Sequence, residues 1–256
     1  MTSSSPVRRI ASIIDIVAAS HGHLTLADIA RAVELPPSTT HRTLNILIDV
    51  GYLALDPVTK SYEIGDRLKR VLLLTLGAGS LKEIARPALV ELAEEFTETT
   101  FVVQMTSSGL QLVDHYFPTQ GSRTLVHPGF DFPMHASATG KVVFAFHSDE
   151  EIELELAKTV EKFMPNTIVG KRAIIKELRR TRKQGYSVND AELDPGVYAV
   201  AAPIKLGNDA IVGALAIVGI RDRLLDRYKA EKIISSVVRA AEDVSRLMFS
   251  ARVNKS

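Results

Sequence analysis

Apolar residues recur every three to four positions through the first fifty residues. Val7, Ile10, Ile13, Ile14 and Val17 form one stripe, ended by Gly22, and predict an amphipathic helix. Leu26, Ile29, Ala30 and Val33 form a second stripe. Thr25 and Asp28 precede it at the spacing of a capping box, in which a hydroxyl and a carboxylate satisfy free backbone N–H groups. Glu34-Leu35-Pro36-Pro37 then breaks the pattern, because the first proline disfavours helix at Leu35 and the second suits the opening turn of a new one. That third helix is expected from Ser38 to Val50, with Leu44, Leu47 and Ile48 inside and Ser38, Thr39, His41, Arg42 and Asn45 outside. After Gly51 the period shortens to two: Tyr52 to Leu55 and Ser61 to Gly65 flank a Pro57-containing turn, which predicts a β-hairpin.

Residues 66–97 return to helical spacing, interrupted by Gly77-Ala78-Gly79-Ser80, a small-residue stretch suited to a hinge. Three segments follow: a domain at 1–65, a linker helix at 66–80 and a second domain at 81–256. Leu68, Val71, Leu72, Leu73, Leu74 and Leu76 make the linker more apolar than one buried face requires, so it is the expected dimer surface. Beyond it, strand-like runs (99–106, 110–117, 123–127, 198–206, 211–220) alternate with helical ones (138–147, 149–157, 173–184, 228–249). The pairs 99–117 and 198–220 are joined by short turns at 107–109 and 207–209, which favours an antiparallel α+β sheet over a parallel one.

Helix, helix, tight turn, helix and hairpin is the order of a winged helix-turn-helix, whose third helix enters the DNA major groove. The residues suit that task. Short hydroxyls at Ser38, Thr39, Thr40 and Thr43 approach phosphates and base edges, Arg42 grips a guanine edge or a phosphate, and His41 donates to either. Thr25 fronts the second helix, Arg8 and Arg9 form a basic arm ahead of the first, and Lys60 sits at the wing tip. Net charge argues for none of this: 31 basic against 30 acidic residues leave +1, and residues 1–80 hold eight basic and seven acidic side chains. On charge alone a protein-interaction module of the same architecture stays open.

Composition narrows the rest. Hydrophobic residues make up 46% and charged ones 24%, ordinary values for a folded chain. There is no cysteine, hence no disulfide, thiol nucleophile or thiolate metal site, which fits a reducing cytoplasm. No apolar run reaches the roughly 18 residues of a membrane span, and the N-terminus lacks the apolar core of a secretory signal. His135 to Val142 superficially suggests a phosphate loop but lacks glycine at His135 and a hydroxyl at Val142; no nucleophile elbow or H-E-x-x-H occurs. His127 and His135 are read as hydrogen-bonded structural histidines rather than metal ligands. No enzyme and no cofactor are expected.

The run from Leu24 to Asp66 resembles the DNA-binding domain of the IclR family of bacterial transcription regulators, through Leu35, Pro36, Ser38, Thr39, Arg42, Leu44, Leu47, Gly51 and Tyr52. The similarity continues in Pro133-Met134-His135-Ala136-Ser137-Ala138-Thr139-Gly140-Lys141, in Gly185 to Gly196 and in Val200-Ala201-Ala202-Pro203-Ile204, covering about residues 7 to 250. The resemblance implies a GAF/PAS-like, antiparallel-sheet effector domain and a regulator whose operator binding responds to a small molecule. It also implies an effector pocket lined by Thr124, Met134, Ala138, Thr139, Asn189, Val197, Ala199, Ala216 and Val218. Asn189 stands where members binding small 2-oxo acids carry a carboxylate, and Ala216 and Val218 stand where serines occur. Fewer donors and more apolar wall point to a larger or aromatic carboxylic acid. Free N–H groups near Ala138 and Thr139, where a helix begins, offer a carboxylate seat.

The expected partners are therefore a pseudo-palindromic double-stranded operator, a carboxylic acid effector and a second copy of the chain, as dimer or tetramer, because one recognition helix reads too few base pairs for a genomic site. A sensor acting through protein contacts without DNA is the alternative, opposed by the intact Ser38, Thr39 and Arg42.

Overall fold

The computed structural model describes residues 6–20, 24–65, 67–68, 78–106, 109–121, 123–124, 126–206 and 210–253. It falls into two units, Met1–Thr75 and Leu76–Ser256. Of the expected linker surface only Leu68 is described; Val71, Leu72, Leu73, Leu74 and Leu76 lie outside the described residues, as do Gly22 and the turns at 107–108 and 207–209.

The first unit has helices α1 (Pro6–Ala19), α2 (Leu26–Ala32) and α3 (Pro37–Asp49), then strands β1 (Leu53–Leu55) and β2 (Tyr62–Ile64). Ile13, Val17, Ile29, Leu44 and Leu47 from the helical stripes, with Leu53 of β1 and Tyr62 of β2, close one core. The capping box forms as the spacing predicts: Asp28 N–H donates to Thr25 Oγ1 at 3.4 Å and Thr25 N–H to the Asp28 carboxylate at 3.1 Å. The α2–α3 turn passes through Glu34 at φ 53°, and Pro37 opens α3. Gly51 ends α3 at φ 72°, a left-handed position where a side chain would be strained. β1 and β2 pair antiparallel, Leu55 opposite Tyr62, and Tyr62 N–H also reaches Leu24 O at 2.8 Å, tying the hairpin to the start of α2. Arg8 and Arg9 lie within the first turn of α1 and not in an arm ahead of it, because Pro6 starts the helix earlier.

The second unit is a five-stranded antiparallel sheet in the order β4-β3-β7-β6-β5, with β3 (Thr99–Thr106), β4 (Gly109–Tyr116), β5 (Ser187–Asp190), β6 (Val197–Leu206) and β7 (Ala210–Ile220). Helices α4 (Ala78–Phe96) and α9 (Ala230–Val253) cover one face, and α5 (Ala138–Phe144) the other; α6 (Asp149–Leu156), α7 (Lys171–Gln184) and α8 (Arg221–Arg227) complete it. The expected hinge at 77–80 is corrected for Ala78, Gly79 and Ser80, which form the first turn of α4. Glycine there is tolerated because Leu81, Ala85, Leu89, Ala93 and Phe96 bury the rest of the helix. The expected strand at 123–127 is irregular at its described residues, and the helix expected to reach His147 stops at Phe144. β5 and α8 were not anticipated.

Candidate functional site

α3 divides cleanly. Thr40, Leu44 and Leu47 face the core, while Ser38, His41, Arg42, Asn45, Ile46 and Asp49 are exposed at the i, i+3, i+4, i+7, i+8 and i+11 spacing of one helix face. Thr40 is thus corrected as a DNA contact: it is fully buried, and its hydroxyl donates back to Pro36 O at 3.2 Å. Thr39 and Thr43 are half-buried at the flank, and the Thr43 hydroxyl donates to Thr39 O at 3.0 Å. Ile46 and Asp49 share the outer face and were missed, although counting four and seven residues on from Arg42 finds them.

Around this face, Arg8 is exposed and Arg9 half-buried. Thr25 is exposed, but its hydroxyl is committed to Asp28, 2.6 Å away, and the hydrogen bonds from Thr25 hold that carboxyl below its ordinary value. The wing tip is set by Asp56, whose Oδ1 accepts from Val58 N–H at 2.7 Å and Thr59 N–H at 3.1 Å; these bonds hold its carboxyl low as well. The turn leaves Val58 87% exposed and Lys60 exposed at φ 55°.

In the second unit, strand register brings most of the expected effector residues together. Asn189 pairs with Ala199, Ala199 with Val218 and Val218 with Thr99 in one cross-sheet row; Ser187, Ala201, Ala216 and Phe101 form the next. Ala138, Ala199, Ala216 and Val218 share one buried cluster, with Val197 half-buried against it. Thr139, on α5, is 1% exposed, and its buried Oγ1 has no hydrogen-bond partner among the described residues. Thr124 is half-buried in the loop before α5. Met134 is corrected: it packs instead with Ala145, Ile152, Ile174 and Leu178, a separate cluster, because the Pro133 turn carries it away from the sheet.

Three aromatics the sequence reading passed over belong to the same cluster. Phe101 stacks on Phe132 at 5.9 Å between ring centres, Phe132 meets Phe130 at 5.0 Å, and Phe130 meets His127 edge-on at 5.8 Å. The two-residue spacing of Phe130 and Phe132 before Pro133 was the available signal. A groove of about 400 Å3 runs elsewhere, beside Val188 and Asp190, the residues of β5 that alternate with Ser187 and Asn189. Its lining sets Glu177, Asp190 and Glu192 against Arg180, and it holds none of the apolar wall residues or aromatic rings named above.

Two of the sequence motifs meet physically. Ser137 caps α5 by accepting from Gly140 N–H at 2.9 Å, and a side chain at Gly140 would strike Pro133 O at 2.3 Å. One turn on, Lys141 is 1% exposed; its ammonium donates to Val188 O at 2.5 Å and pairs with the Glu192 carboxylate. Burial pushes the Glu192 carboxyl above its ordinary 4.5, and Lys141 pulls it part of the way back. Asn189 Oδ1 accepts from Glu192 N–H at 2.9 Å, and Ser187 Oγ donates to Ala138 O at 2.5 Å, so this polar network braces β5 against α5. His135 Nε2 bonds Glu161 O at 2.8 Å and stacks on Phe163; among the described residues no cluster of three metal-ligating side chains occurs.

Residues 6–57 match the IclR helix-turn-helix domain, and residues 74–246 match the family "Bacterial transcriptional regulator IclR C-terminal". The HTH-type transcriptional regulator BhcR of Paracoccus denitrificans is 28% identical over 239 residues, 93% of this chain and 85% of its own. The transcriptional repressor IclR of Escherichia coli is 29% identical over 236 residues, 91% of this chain and 86% of its own. Among solved structures, an IclR homologue from Microbacterium hydrocarbonoxydans complexed with 4-hydroxybenzoate has the same fold, with a TM-score of 0.60 at 21% identity, over 93% of this chain and 96% of that one.

Proposed function

The chain belongs to the IclR family of bacterial transcription regulators, and from that premise we propose that it reads a pseudo-palindromic operator through the outer face of α3 and answers to an aromatic carboxylic acid held on the sheet of its second unit. It is a DNA-binding regulator and not an enzyme. The observation that carries the DNA reading is the row Ser38, His41, Arg42 and Asn45, exposed together while the opposite side of the helix is locked in the core. Arg42 takes a guanine edge or a phosphate, Ser38 and Thr39 take phosphates near the helix start, and Lys60 and Arg8 meet the flanking backbone. Two copies related by a dyad double the contacts, as dimers or tetramers in the cytoplasm.

The effector reading is supported by Ala199, Ala216 and Val218 forming an apolar wall, by Phe101, Phe130 and Phe132 as partners for a ring, and by the unpartnered Thr139 hydroxyl as a donor for a carboxylate. The homologue that holds 4-hydroxybenzoate supports the same class. Phe101, Phe130 and Phe132 pack against one another, so a ring seated among them has to part them, which is how occupancy would reach the rest of the unit.

Calorimetry with 4-hydroxybenzoate, benzoate, pyruvate and glyoxylate tests the ligand class. The aromatic acids are expected to bind and Phe132→Ala to weaken them at least tenfold. Tight binding of glyoxylate or pyruvate with none of the aromatic acids contradicts the proposal.

A further inference from the structure

Ile46 is 50% exposed on the polar outer face of α3, one turn beyond Arg42 and next to Asn45. A single exposed apolar residue is ordinary on a protein surface, so exposure alone says little. Its place says more. The buried side of α3 is centred on Thr40, Leu44 and Leu47, and at about 100° per residue Ile46 falls on the opposite side, with Ser38, Arg42 and Asp49. Whatever Arg42 and Ser38 touch, Ile46 faces too.

We propose that Ile46 determines specificity by packing on the C5-methyl group of a thymine, about two base pairs along the groove from the base or phosphate met by Arg42. The inference rests on the reading of α3 as the recognition helix. Four residues of helix advance about 6 Å, and base pairs repeat about every 3.4 Å, which gives the offset. The chemistry leaves one good partner. Apart from the small C–H edges of cytosine C5 and purine C8, the major-groove edges carry hydrogen-bond donors and acceptors, and the thymine methyl is the one alkyl group there. Against cytosine N4 or guanine O6 the isoleucine would strip water from a polar edge and return no bond. β-branching holds Ile46 to essentially one χ1 rotamer on a helix, so little side-chain freedom is lost on contact. Val50, 38% exposed and four residues on, extends the apolar strip, and the rival occupant is a protein surface, such as that of a second copy.

The test uses full-length protein and an operator it selects from random-sequence DNA. Each thymine is replaced in turn by deoxyuridine, which keeps the pairing and removes only the methyl, and affinity is measured for the wild type, Ile46→Ala and Ile46→Val. One thymine per half-site is expected to cost the wild type about fourfold on losing its methyl, the worth of one buried methyl group. Ile46→Ala, which removes the contact in both half-sites, is expected to bind the intact operator about sixteenfold more weakly, to be indifferent to deoxyuridine at that position, and to keep the wild-type melting temperature. Ile46→Val keeps part of the sensitivity. Wild-type protein that selects an operator yet ignores every methyl overturns the inference, as does a methyl penalty that persists in Ile46→Ala; both leave the role of α3 standing. A protein that selects no sequence overturns the role of α3 and this inference with it.

Discussion

Thr40 and Arg42 are two residues apart, yet they do unrelated work. The 3.6-residue helical period turns Thr40 into the core, where its hydroxyl closes on Pro36 O, and turns Arg42 out. Arg42→Ala is therefore expected to weaken operator binding by about 1–3 kcal/mol if the guanidinium meets a base, measured by DNA titration. Thr40→Ala is expected to lower the melting temperature and leave operator affinity unchanged, and a loss of affinity in the folded variant would return Thr40 to the interface. Polar residues were harder to read than apolar ones, because a threonine fits either side of a helix while a leucine fits one. Lys141 makes the same point more sharply: it is a lysine in the core, held by Glu192 and Val188 O. Removing one partner of a buried pair leaves an uncompensated charge, so Lys141→Met should cost about 3–5 kcal/mol of unfolding free energy. Adding Glu192→Leu should recover much of it; a double variant no better than the single one would mean the pair is not what matters there.

Elements whose causes are local were legible, and those whose causes are distant were not. The capping box of α2, the proline break before α3 and the β3–β4 and β6–β7 pairs depend on neighbours in sequence, and they appear within a few residues of their expected positions. β5 escaped because its alternation is inverted: the polar Ser187 and Asn189 are buried and Val188 and Asp190 half-buried, an arrangement stable because Ala138 O, from a distant segment, and Glu192 N–H, just past the strand, satisfy the buried polar atoms. α8 escaped because it buries only Leu224 and is held by ion pairs, Arg223 to Glu98 and Arg221 to Asp190. Of the proposed effector site, the small apolar residues named through family resemblance fall in one cluster, whereas its aromatic side required Phe101 on β3 to be brought to Phe130 and Phe132 by folding.

The wing yields a prediction in pH. Asp56 is held below its ordinary 3.8 in the folded chain by the Val58 and Thr59 N–H groups. A carboxylate with a depressed folded value stabilises the fold above its unfolded value, and that contribution is lost as pH falls through the depressed one. Thermal unfolding should therefore show the wild type losing its advantage over Asp56→Ala as pH drops from about 5 to below 3.8. A gap between the two that holds constant over that range would show that the carboxylate charge does not set the turn.

At the scale of the whole chain, a near-neutral total charge conceals a localised function. The +1 balance predicts no nucleic-acid binding, but the face of α3 proposed to read DNA is some three turns long, and a sum over 256 residues dilutes it. In the second unit two motif-bearing segments, 133–141 and 185–196, are joined by Lys141 with Glu192 and by Ser187 with Ala138 O. A ligand beside Thr139 and Asn189 sits against that junction, so occupancy and operator affinity would be linked, each changing the other by the same factor. The most direct test is fluorescence anisotropy of the full-length protein on DNA from upstream of its own gene, against unrelated DNA, over a salt series and with or without 4-hydroxybenzoate. The account predicts at least about a thousandfold preference for the upstream DNA, a steep salt slope and a shift in affinity with the aromatic acid. Equal, weak binding to both DNAs that the acid leaves unmoved would contradict it.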